Sequence, residues 1–142
     1  MPPELQSPEI AAFANGFPIA LLQAGITLVM LIAGAALYAL LTPHKEITLI
    51  REGNSAAALS FAGVLIGLTI PLSTALSTSS SLLEIVIWGA GGIFVQLLVF
   101  RLTDFVLHGL PQRIQDGEIS AALLLVGAKV STALILSAAI TA

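Results

Sequence analysis

Lys129 is the side chain most able to do unusual chemistry, because it stands between two uncharged stretches, Ile119 to Ala128 and Val130 to Ala142. A lysine at the centre of a membrane span costs about 2.5–3.5 kcal/mol on insertion scales, so such a residue is a functional candidate by default. At 1.5 Å per residue it sits about 15 Å into its helix, close to a membrane midplane. Two acceptors are expected at that depth. Pro71 has no N–H and leaves the carbonyl of Gly67 without its helical donor, and Gln96 carries an amide inside another apolar run. Lys129, Gln96, Gly67 and Pro71 are therefore the candidate solute path or buried polar cluster. Two readings stay open: a lysine locked by internal partners, or a charge that faces a solute and attracts anions, repels cations or titrates with transport.

The other polar residues carry blander expectations. Arg101 and Asp104 are three apart and should pair with each other near a helix end. Glu84 and Trp88 mark a candidate outer vestibule, against which stand plain interfacial solvation for Glu84 and the aromatic belt for Trp88. His44 and His108 flank two connections and read as interfacial anchors, since no cysteine or paired carboxylate accompanies them to hold a metal. Glu52 and Asp116 lie beside turns, where capping accounts for them. With no glycine-rich phosphate loop and no arguable nucleophile–base pair, neither catalysis nor a cofactor is expected. The few basic residues form no run, so nucleic acid is not an expected partner.

The elements that must position these groups follow from composition. The chain has 142 residues, 57% hydrophobic and 9% charged, with a formal charge of -3 and a mean hydropathy of +1.03. Soluble domains are roughly 45–50% apolar and 25% charged, so this is an integral membrane protein whose solvent includes the lipid bilayer. About 20 apolar residues make one span, which leaves room for four. They are expected at about 17–42, 55–76, 82–107 and 119–142, after a short tail over 1–16. That tail holds Glu4 and Glu9 but no basic residue, and so lacks the positive region of a cleaved signal peptide. Pro43 should end the first helix, and Pro18 should fall in its first turn.

A repeat organises the whole. The run Ile50 to Leu59 returns as Ile114 to Leu123, 64 positions later, and the same offset places His44 on His108, Gly63 on Gly127 and Gly25 on Gly89. The turn motifs are Glu52, Gly53 and Asn54 in the first copy and Asp116, Gly117 and Glu118 in the second. Repeat one covers about 17–78 and repeat two about 81–142. Each holds two spans, so the copies keep one orientation. The expected fold is all-α: a polytopic membrane protein of four transmembrane helices formed by two parallel two-helix repeats. Lys45, Arg51 and Arg113 lie in the repeated connections, with Arg101 nearby, so these connections should face the cytoplasm and both termini the outside. In the first connection Ile47, Leu49 and Ile50 should meet lipid headgroups while Lys45, Glu46, Arg51 and Glu52 face water. Gly63 and Gly67 form a GxxxG pair that lets helices approach closely. The helices numbered two and four in this scheme should meet near a pseudo-two-fold axis.

The run Glu46 to Asn54, followed by Gly63, Gly67 and Pro71 and then by Trp88, Gly89 and Gln96, resembles the YjfL-like family of bacterial inner-membrane proteins, catalogued as domain of unknown function 350. The resemblance covers roughly residues 20 to 140. It implies a duplicated four-helix inner-membrane protein without an established activity, some of whose relatives are associated with envelope-stress proteins and polyamine-conjugating enzymes. Lys129 matches no motif of that family. Two functions follow as expectations. One is a homo-oligomeric channel or small transporter for ions or small solutes. The other is a non-conducting scaffold that docks a cytoplasmic protein through its connections.

Overall fold

The computed structural model describes residues 7–42 and 46–141; Glu4, Pro43, His44 and Lys45 lie outside them. Six helices follow in order: α1 Pro8–Leu41, α2 Glu46–Arg51, α3 Ser55–Thr78, α4 Leu82–Val106, α5 Leu110–Gln115 and α6 Ile119–Thr141. The four long ones are apolar and long enough to cross a membrane.

α1 begins at Pro8 rather than at the expected Phe17, so residues 8–16 are helix and not tail. The start signal is local. Ser7 accepts a hydrogen bond from the N–H of Ile10, Pro8 occupies the first turn, and Glu9 favours the positive end of the helix. Phe13 and Phe17, one turn apart, stack with centroids 4.7 Å apart. Pro18 is therefore inside the helix rather than in its first turn. With 34 residues, α1 is about 51 Å long and exceeds a hydrocarbon core of about 30 Å.

The connections carry the short helices α2 and α5 among their described residues. In α2, Glu46 is buried, and Leu49 and Ile50 pack against a core cluster of Ala56, Ala57, Ile114, Ala121 and Leu125. Expectation is thus corrected for Glu46, which faces inward because Ser60 of α3 donates to its Oε1 at 3.4 Å. Both short helices end in one hydrogen-bond pattern. Residues 52, 53 and 54 donate to the carbonyls of 48, 50 and 49, and residues 116, 117 and 118 donate to those of 112, 114 and 113. Gly53 and Gly117 turn the chain at φ 88° and 86°, a region that costs other residues about 1–2 kcal/mol.

Close contacts give the directions of packing. Gly63 faces Val126 and Gly67 faces the backbone of Lys129, so α3 and α6 run parallel. Gly89 meets Met30 and Gly34 meets Ile93, so α1 and α4 are parallel as well. Gly89 against Leu72 and Gly92 against Pro71 make α3 and α4 an antiparallel hairpin. α3 and α6 share the most extensive contact, and Gly63 and Gly67 make it possible by leaving no Cβ in the way.

Candidate functional site

The interior polar site is built from three spans. Lys129 and Tyr38 are each 1% exposed and Asp104 is 9% exposed. The Lys129 ammonium donates to the Tyr38 hydroxyl at 2.5 Å, the Tyr38 hydroxyl donates to Asp104 Oδ2 at 3.3 Å, and Asp104 Oδ1 lies 3.1 Å from the ammonium. That last contact is an ion pair without hydrogen-bond alignment. The ammonium also lies 4.7 Å from the centroid of the Tyr38 ring and 5.4 Å from that of Phe100, within cation–π range. The two rings meet edge to face at 5.9 Å.

Helix geometry explains the convergence. Cα–Cβ bonds tilt toward a helix N-terminus, so side chains of α6 lean toward the end of the bundle that carries α2 and α5, while those of α1 and α4 lean away from it. A Cβ on Gly67 would lie 2.6 Å from Phe100 and 3.7 Å from the carbonyl oxygen of Lys129, which puts these three residues at one level. Asp104, one turn beyond Phe100, is about 6 Å nearer the connector end. The lysine stem spans that gap.

Each candidate residue now has a place. Lys129 is buried, but its partners are Asp104 and Tyr38 rather than Gln96 and the Gly67 carbonyl. Asp104 consequently does not pair with Arg101, which is exposed. Gln96 is fully buried, and neither of its amide atoms has a hydrogen-bond partner among the described residues. Gly67 and Pro71 pack against α4, at Phe100 and Gly92 respectively. Glu84 closes the start of α4: its carboxylate accepts from the N–H and hydroxyl of Ser80, and its own N–H donates to Ser81. Trp88 is 53% exposed. Neither joins the interior cluster.

Asn54 does more than cap. Its Oδ1 accepts from the N–H of Ala57, and its Nδ2 donates to the carbonyls of Ile114 and Gln115 at 3.0 and 3.1 Å, tying the first turn to the second. Glu118, its counterpart, pairs instead with Arg113. Glu52, Gly53, Asp116 and Gly117 border a shallow groove of about 600 Å³ between the two turns. A second pocket of about 400 Å³, lined by Arg101, Phe105, His108 and Gln112, reaches Asp104 from the α4–α5 corner. No three His, Asp or Glu side chains converge to hold a metal among the described residues.

Sequence reasoning missed Tyr38 altogether and misassigned Asp104. An aspartate inside one span and a lysine inside another are natural counter-ions. That signal was present, but depth counted from the helix ends placed the two too far apart. The ends are not level, since α5 intervenes between α4 and α6.

Four spanning helices closed around a buried ion pair define a polytopic membrane protein. The chain belongs to the family described as Domain of Unknown Function (DUF350), whose model matches residues 12–140. It is 35% identical over 98 residues to the UPF0719 inner membrane protein YjfL of Escherichia coli strain K12, which covers 69% of this chain and 74% of that relative. The same figures hold for the protein of that name in Escherichia coli O157:H7. The resemblance carried by Glu46 to Asn54 and the residues after it is thus shown, and with it a place in the inner membrane. No solved structure matches the chain.

Proposed function

We propose that this protein moves protons or small ions across the inner membrane, with Lys129, Asp104 and Tyr38 as the site that holds charge on the way. The observation that carries this reading is the closed triangle of those three groups, backed by a pocket at Asp104. Replacing a buried ion pair by well-packed apolar residues is often neutral or stabilising, so packing alone gives little reason to keep one here. At 1% exposure, Lys129 lines no solute-sized opening in one protomer, which favours protons and bare ions over larger solutes. The protein is not an enzyme on this reading. The chain is a tandem duplication whose repeats are parallel, its connectors face the cytoplasm, its termini face outward, and it works as a homo-oligomer.

The test is ion and pH-dye flux in proteoliposomes, comparing the parent with Lys129→Met, Asp104→Asn and the double variant. Flux in the parent that falls at least about tenfold in the double variant, at equal folding, supports the reading; a factor of ten is about 1.4 kcal/mol. Absence of flux in the parent at every pH and voltage would sink it. That result would favour the scaffold alternative, for which the groove beside Glu52, Gly53, Asp116 and Gly117 is the supporting observation.

A further inference from the structure

The two halves of the chain contact each other asymmetrically, and the asymmetry says what covers α6. If the halves were related by a two-fold axis, every contact from the first to the second would have a mirror contact from the second to the first. Contacts within the halves do match: α1 with α3 as α4 with α6, and α2 with α3 as α5 with α6. Contacts between the halves do not. α3 packs on α4 and on α5, yet neither α6 with α1 nor α6 with α2 has a contact of comparable extent among the described residues. Half of the apolar window of α3 is buried, against 28% for α6. The face of α6 equivalent to the packed face of α3 is therefore uncovered.

Moving each contact between the halves forward by 64 positions names the residues that would cover it. A Cβ on Gly63 would lie 2.6 Å from Val126, whereas one on Gly127 would meet nothing within 4 Å. The counterpart of Val126 is Ala62, which is partly exposed. Asn54 binds the carbonyl of Gln115; the counterparts are Glu118 and Arg51, a carboxylate and a guanidinium, both exposed. Arg51 has no ion pair among the described residues.

We infer that a second copy of this chain seats its α3 on the open face of α6, repeating between protomers the α3–α6 contact made within one. Gly127 then meets Ala62 of the next protomer, and Glu118 meets Arg51 of the next protomer. Because the interface joins α6 of one copy to α3 of the next and never α6 to α6, and all copies share one orientation in the membrane, successive copies close into a ring, of two protomers where the halves are a quarter-turn apart and of more where the step is smaller. The inference rests on the duplication proposed above.

The chain has no native cysteine, so thiol pairs report the interface directly. Differently tagged Gly127→Cys and Ala62→Cys chains are co-expressed and treated in membranes with a short bismaleimide, and likewise Glu118→Cys with Arg51→Cys. A single chain carrying Asn54→Cys and Gln115→Cys reports the contact within a protomer. The expected result is a covalent dimer from each mixed pair and none from any of the four variants expressed alone. The Arg51–Glu118 pair keeps the test valid if a side chain at position 127 disturbs packing. Gly127→Cys linking to itself as efficiently as to Ala62→Cys would mean an isologous dimer and overturn the ring. No mixed dimer from either pair, while the single-chain link forms, overturns the ring and leaves the duplication standing. Loss of the single-chain link as well overturns both.

Discussion

Lys129 is held by two groups of different kinds, and their removal should have different signs of rescue. Deleting one member of a buried ion pair strands the other, at a cost of about 3–5 kcal/mol. Lys129→Met should therefore destabilise the protein by about that much in reversible unfolding, since Asp104, 9% exposed, loses its cationic partner. Adding Asp104→Leu should recover most of the loss, because no charge is then left in the bundle. A double variant no more stable than Lys129→Met would mean that the pair contributes little and that Tyr38 carries the site. Tyr38→Phe removes the hydroxyl between Lys129 and Asp104 but keeps the ring beside Phe100. It should cost about 1.5–3 kcal/mol, the range for a hydrogen bond to a charged group.

At the scale of elements, the packing of α3 on α6 depends on what glycine leaves out. Gly63→Ala sets a methyl group 2.6 Å from Val126, and overpacking of this kind costs about 1–3 kcal/mol. Alanine gains up to about 1 kcal/mol over glycine in helix propensity, so overpacking prevails and the variant should be less stable. Gly127→Ala, at the equivalent position of α6, meets no such obstacle. In detergent-isolated monomer it should be neutral or slightly stabilised. Thermal melts of the two variants side by side check the contrast, and equal destabilisation would contradict the packing described for α3 and α6.

For the whole molecule, the alternation of four spans requires both connections to lie on one side of the membrane. On the proposed topology that side is the cytoplasm, where the positive-inside rule would put the exposed Arg51 and Arg113. Glu52→Cys and Asp116→Cys should react with a membrane-impermeant maleimide in inverted vesicles and stay unreactive in spheroplasts. Reaction of either one from the outside would reverse the proposed topology.

Composition was enough to establish the membrane class and the four long apolar helices, because lipid demands such helices, and the glycines that turn the chain at Gly53 and Gly117 stood out in the sequence as well. The start of α1 was also written locally, in Ser7, Pro8 and Glu9, although apolarity alone suggested a later one. Partnership was not legible. Whether Asp104 turns toward Arg101 on its own helix or toward Lys129 on another depends on how far α6 is displaced along α4, and that follows from the short helix between them. Glu46 looks like a solvated charge in sequence and is buried because α2 lies against Ser60. The distances that decide a buried pair are fixed between helices, where no rule of spacing along the chain can reach them.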